Sequence, residues 1–176
     1  MDDDMTGNAD ERRRLLGELE LERNQLTRNI ETCRIRDIDR PFIGAWSLKD
    51  IVGHIASWEA EKVTAIRELR EGRRPALLDF DEANLDRWNA DHVERKRDLT
   101  FWSVLDQLKA GRARLLAELD QLSDEELCAE GSLYESLVMG TVEHDRAHWH
   151  GIAAKLAGMA GTRDTASRGS AHEGAH

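Results

Sequence analysis

Two prolines, two cysteines, one tyrosine and three phenylalanines are all that 176 residues contain of those types. So few prolines leave room for long uninterrupted helices. Cys33 and Cys128 stand far apart, with no Cys-x-x-Cys spacing, which argues against a disulfide framework and against a thiolate metal site. No apolar run is long enough to span a bilayer. No phosphate-binding loop, dinucleotide fingerprint or Gly-x-Ser-x-Gly elbow occurs. Positive charge is also short: the net charge is -10. A polyanion would be repelled by the chain as a whole, so no nucleic-acid partner is expected. The start, Met1-Asp2-Asp3-Asp4, is acidic and unlike a signal peptide, so the expected compartment is the cytoplasm and no membrane partner is expected.

Charged residues make up 34% of the chain, and the apolar ones fall at helical spacing. Residues 1–9 show no apolar pattern and are expected to be disordered. From Asp10 a first helix carries Leu15, Leu19, Leu26, Ile30 and Cys33 on one stripe. Its opposite face, with Arg14, Glu18, Glu22 and Arg28, reads as solvated. After a turn-rich connection, Ser47 with Asp50 three residues on predicts a capping box. The second helix then bears Leu48, Ile51, Ile55, Trp58, Val63, Ile66 and Leu69, and stops at Gly72 and Pro75. Residues 73–100 form a polar crossover with a peripheral helix from about Glu82 to Arg95. Thr100 caps a third long helix with a stripe from Phe101 to Leu122, and Ser123-Asp124-Glu125-Glu126 opens a short one. The last long helix is expected over Glu135 to Met159, with Gly158 and Gly161 ending it. The tail, residues 161–176, is expected to be disordered.

Four amphipathic helices predict one all-α domain over residues 10–160. It is a four-helix bundle with an extra peripheral helix in the second-to-third crossover. The length of that crossover permits up-down-down-up order.

The inward line of the last helix is Leu137, Thr141, His144, His148, Ile152 and Leu156. His144 and His148 are one turn apart on one face, so their rings can bite one divalent metal. A third ligand must come from another helix, and His54, beside Ile51 and Ile55, is the candidate. Three buried imidazoles without a use are costly, and a shared ion satisfies a nitrogen on each. Three protein ligands leave a position open, the pattern of catalytic sites. Imidazole suits zinc, nickel, copper or iron, and zinc or nickel is expected. Trp58 and Trp149 are candidates to line a substrate cavity, or else plain core. Glu143 and Asp145 flank His144 as orienting groups or as exposed acids. His150 is expected at the surface or beside the ligands, and His92 in solvent. His172 and His176 fall in the tail.

Trp46-Ser47-Leu48-Lys49-Asp50-Ile51-Val52-Gly53-His54-Ile55, followed by Trp58-Glu59, resembles the second helix of the DinB-like metal-binding four-helix bundles. Glu143-His144-Asp145-Arg146-Ala147-His148 resembles their fourth-helix His-x-x-x-His. Trp88-Asn89-Ala90 through Arg97-Asp98-Leu99 is similar to the linker of many members. The likeness covers roughly residues 11–160. That superfamily includes the N-terminal domain of mycothiol-dependent maleylpyruvate isomerase. The resemblance implies an up-down-down-up bundle, a divalent metal on His54, His144 and His148, and often a homodimer. Apolar residues outside the main stripes, Leu16, Leu21, Trp102 and Leu116, fit such an interface. It also implies a thiol-dependent transferase in which the metal activates mycothiol, bacillithiol or glutathione toward an electrophilic small molecule. No motif names the thiol, the electrophile or a catalytic residue. A bundle that binds or sequesters a small ligand or metal without turnover is the alternative, and purely structural histidines a third reading.

Overall fold

In the computed structural model the backbone is described for residues 2–170, and side-chain surroundings for residues 6–163. Six α-helices lie in this span: α1 (Asp2–Thr32), α2 (Leu48–Arg70), α3 (Glu82–Arg95), α4 (Phe101–Leu119), α5 (Asp124–Cys128) and α6 (Leu133–Ser170). No strand occurs among the described residues; an isolated bridge joins Ile43 and Trp46. The protein is an all-α bundle of four long helices, with α3 and α5 as short additions.

Local chemistry sets the helix starts. Ser47 accepts from the Asp50 backbone N–H while the Asp50 carboxylate accepts from the Ser47 N–H, so α2 opens on a full capping box. Thr100 caps α4 and Ser123 caps α5, the latter with Glu126 completing a second box. Both outer helices run further than composition suggests. α1 already includes residues 2–9. α6 passes Gly158 and Gly161 without breaking and reaches Ser170. A helical glycine costs only about 1 kcal/mol, which neighbouring helix formers offset. The end of the expected tail, with His172 and His176, lies outside the described residues, as does Met1.

The core falls into two clusters. The first gathers Leu15 and Leu19 of α1, Val63 and Ile66 of α2, Leu115 and Leu119 of α4, and Val138 and Val142 of α6. The second gathers Leu26 and Ile30, Ile51 and Ile55, Val104 and Leu108, and Ile152. With increasing residue number, α1 and α6 pass from the first cluster to the second, while α2 and α4 pass from the second to the first. These directions are compatible with up-down-down-up connections.

Between the clusters each long helix contributes a charged residue to one network: Arg23, Glu59 and Asp145 are buried and Arg112 is half-buried. Each occupies a stripe position where the periodicity calls for an apolar side chain. Glu22 beside Arg23 is also buried. This corrects its placement on a solvated face: Trp149 and Arg146 of α6 both donate to its carboxylate.

α3 lies on the surface as expected, with no fully buried side chain. It docks on α2 through aromatic contacts. Trp88 packs 4.2 Å from Trp58 between ring centroids, and Trp58 Nε1 donates to Asn89 at 2.8 Å.

The segment before α2 shapes one wall of the bundle. Gly44 takes φ +58°, a left-handed conformation that favours glycine. It lets Trp46 N–H donate to Ile43 O and Phe42 N–H to Trp46 O. The turn delivers Trp46 onto α2 and Ser47 into its capping position. Ser47→Ala is expected to lower stability by about 1 kcal/mol. Urea unfolding checks this: the midpoint should fall with an unchanged slope, and an unaltered midpoint would show that α2 does not need its cap.

Candidate metal centre

His54 leaves α2 toward α6 and is 7% exposed. His144 and His148 leave α6 one turn apart toward α2, and both are half-buried. The Nε2 atom of His144 lies 3.0 Å from His54 Nε2 and 3.0 Å from His148 Nε2. Among the described residues these three side chains form the one group of His, Cys, Asp or Glu able to share an ion, with donor atoms within 4.8 Å of one another. Helix spacing predicted the pair on α6, and packing of α2 against α6 supplies the third ring.

Three nitrogens this close cannot all satisfy one another. A ring nitrogen carries either one hydrogen or one lone pair, so His144 Nε2 cannot serve two partners well. Protonation is also disfavoured. Burial, and then the neighbouring His148, pull His54 down to about 3, and the same causes with His54 added pull His144 down to about 2. His148 is also lowered, chiefly by burial. The rings are therefore neutral, and three neutral rings whose Nε2 atoms converge can offer their lone pairs to one cation. For metal–nitrogen bonds of about 2.0–2.1 Å at angles near 90–110°, adjacent nitrogens sit roughly 3.0–3.4 Å apart. The residues therefore fit a divalent ion, and the neutral nitrogen donors suit zinc, nickel, copper or iron.

The surroundings differ from expectation in instructive ways. Asp145 stands between the two α6 histidines in sequence but is 1% exposed and turned into the core. Its carboxylate accepts from Arg23 Nε at 2.8 Å and Arg112 Nη2 at 2.9 Å, not from an imidazole. Glu59 completes the set, accepting from Arg112 Nε at 2.6 Å and Arg23 Nη2 at 2.5 Å. Glu143 is exposed. His54 Nδ1 is buried with no hydrogen-bond partner, so the usual outer support of a ligating imidazole is missing there. Trp46 packs against the same ring instead, at 4.8 Å between centroids.

Of the two candidate substrate-lining residues, Trp58 lies one turn from His54 with ring centroids 6.5 Å apart. Trp149 directs its Nε1 to Glu22 at 2.6 Å, tying α6 to α1. His150 is exposed, as expected. His92 is not simply solvated: it stacks on Trp88 at 3.6 Å and donates from Nδ1 to the Trp88 carbonyl. Neither thiol joins the site. Cys33 is raised to about 11 by burial, aided by Asp37, and Cys128 is raised too, so neither is an activated nucleophile.

The sequence of the chain matches the family model described as the DinB superfamily over residues 18–155. This chain belongs to the DinB superfamily. Its DinB bundle is also similar to the crystal structure of an uncharacterised protein from Escherichia coli UTI89. The TM-score is 0.65 at 12% identity, over 82% of this chain and 91% of that one. At that identity the likeness shows the fold alone. No curated protein matches the chain. The family match agrees with the resemblance read over residues 11–160, and the three histidines lie inside it.

Two outcomes are expected of this DinB chain. Without metal, the three rings stay neutral in the fold and take up protons on unfolding below about pH 6.5. Their folded pKa values are depressed, so stability is full above that pH. It is lost as pH falls toward about 3 for His54 and about 2 for His144, by up to about 1.4 kcal/mol per pH unit for each ring. Urea titrations of metal-free protein at pH 7 and pH 5 should show this, and His144→Asn should flatten the dependence. Equal stability at both pH values would contradict neutral buried rings. Separately, Glu59→Gln should destabilise by about 3–5 kcal/mol, because it leaves one buried and one half-buried guanidinium group short of an anion. A cost below about 1 kcal/mol would mean that the charges are solvated.

Proposed function

We propose that this protein is a metal-dependent transferase that joins a low-molecular-weight thiol to an electrophilic small molecule, in a detoxifying role. The observation that carries the reading is the convergence of three neutral Nε2 atoms, one from a buried histidine of α2 and two from half-buried histidines of α6. Three neutral ligands leave the ion's charge intact and a coordination position free. A bound zinc or nickel ion would supply a Lewis acid that lowers the pKa of a coordinated thiol.

The chain's own part is to hold and orient. His54, pinned beside Trp46, closes the inner side. His144 and His148 present their donors from a helix whose rotation is fixed by the buried Asp145. Since both protein thiols are held above their ordinary pKa, the nucleophile must come from outside. Mycothiol, bacillithiol and glutathione are the candidates that the family likeness brings. A cytoplasmic location suits free thiol chemistry. No helix among the described residues is long and apolar enough to cross a membrane. A homodimer belongs to the same reading, with the exposed Leu21, Trp102 and Leu116 as its apolar contribution.

His148→Ala tests the site. The variant should lose bound metal, measured by elemental analysis, and lose conjugation of thiol to electrophile in a panel assay, while its circular dichroism stays helical. Leu137, Ile152, Ile51, Ile55 and Leu108 still bury the core without that ring. Chelator should lower the melting temperature of metal-loaded wild type and leave the variant unchanged. A wild type indifferent to chelator, with a variant unfolded at room temperature, would make the histidines mere packing. Metal and ligand binding without turnover would instead identify a sequestration protein.

A further inference from the structure

The four charges at the middle of the bundle pair with one another, and a further cation stands beside them. Arg23 and Arg112 neutralise Glu59 and Asp145 by four ion pairs. One cation is left over beside them. Lys62 follows His54 and Trp58 along one face of α2 at intervals of four residues, so it projects along the side that carries the metal ligand. Its side chain is half-buried against α6, and its Nζ lies 3.5 Å from where a Cβ on Gly140 would stand. Gly140 is one turn before His144, so the amine sits roughly 6 Å along α6 from the level of the histidines. Lys62 makes no hydrogen bond or ion pair within 4.0 Å among the described residues. Its field reaches Asp145, Glu59, Glu143 and Arg112, but the first two acids are already held by arginine and Glu143 is exposed.

A cation that gives up hydration between two helices and gains no partner is poorly satisfied. The missing side chain at Gly140 leaves space beside it. We propose that Lys62 receives a carboxylate of the small molecule that binds at the histidine centre, so that the site selects acidic ligands. This rests on the metal-site reading and specifies its substrate class. The chain is acidic overall, yet an ion held by the histidines and this amine would stand close together, giving a local positive field that draws in such ligands. Burial holds the amine down to about 8, so it keeps most of its charge at neutral pH. Glutathione and bacillithiol carry carboxylates and mycothiol carries none. The proposal therefore favours the first two as thiol, or an acidic electrophile beside a neutral thiol.

The test uses full-length protein loaded with cobalt(II), and reads the cobalt absorption bands rather than turnover. Mercaptopropionate and mercaptopropanol are titrated in turn, to place the carboxylate on the thiol. Succinate is titrated into the mercaptopropanol complex, to place it on the second molecule. Wild type should prefer mercaptopropionate by about tenfold, or bind succinate with a spectral change. Lys62→Met should abolish whichever response is seen, and Lys62→Arg should keep most of it. Gly140→Leu, which fills the space beside the amine, should act like Lys62→Met and serves if that variant does not fold. If Lys62→Met or Gly140→Leu leaves both responses unchanged, or wild type shows neither, the proposal is overturned while the metal centre stands. If cobalt bands never form, the metal centre itself is wrong and the proposal falls with it.

Discussion

The structure depends on one arrangement: two arginines and two carboxylates, one from each long helix, paired in the middle of the bundle. Removing four charges from water is expensive unless every charge finds a partner. Here Arg23 and Arg112 each bridge Glu59 and Asp145, and Arg112 also donates to the Leu19 carbonyl at 2.9 Å. A pairing of this kind is satisfied at one relative height of the four helices. Apolar stripes alone tolerate sliding by a turn, because leucine against leucine is much the same one turn along. The ionic layer does not, since any slip strands a charge among apolar side chains.

That layer also aims the histidines of the candidate metal centre. Successive residues on an α-helix turn by about 100°. With Asp145 pointed at the arginines, His144 and His148 fall on the same side of it, within roughly 40° of each other. α6 thereby presents both rings to α2, where His54 stands five residues before Glu59. These histidines need no hydrogen bonds from acids to face the right way. Rotation of the whole helix is set by the residue between them.

Much of this was legible in the sequence, and some of it was not. The histidine spacing, the capping boxes at Ser47 and Ser123 and the peripheral helix over Glu82–Arg95 could be read because each is a local rule. The ionic layer could not be read from one helix at a time. Its signal was present: Arg23 sits between Leu19 and Leu26, Glu59 between Ile55 and Val63, Arg112 between Leu108 and Leu115, Asp145 after Val142. A charge on the inner stripe of every long helix, summing to zero, marks a buried network. Glu22 was misread for a related reason, since its partner Trp149 is a tryptophan far along the chain. The outer ends of α1 and α6 escaped because glycine and polar composition weaken a helix without forbidding it.

The α3 helix has a consequence of its own. It buries no side chain fully and leans on α2 through Trp58, Trp88 and Asn89. Free energy of local opening follows buried apolar surface, so α3 belongs at the low end of the molecule's range while α2 belongs near the top. Amide protons of α3 therefore exchange with solvent long before those of the helix it rests on. The protein has a soft outer flank on a hard frame, and the soft flank covers the tryptophan one turn from His54.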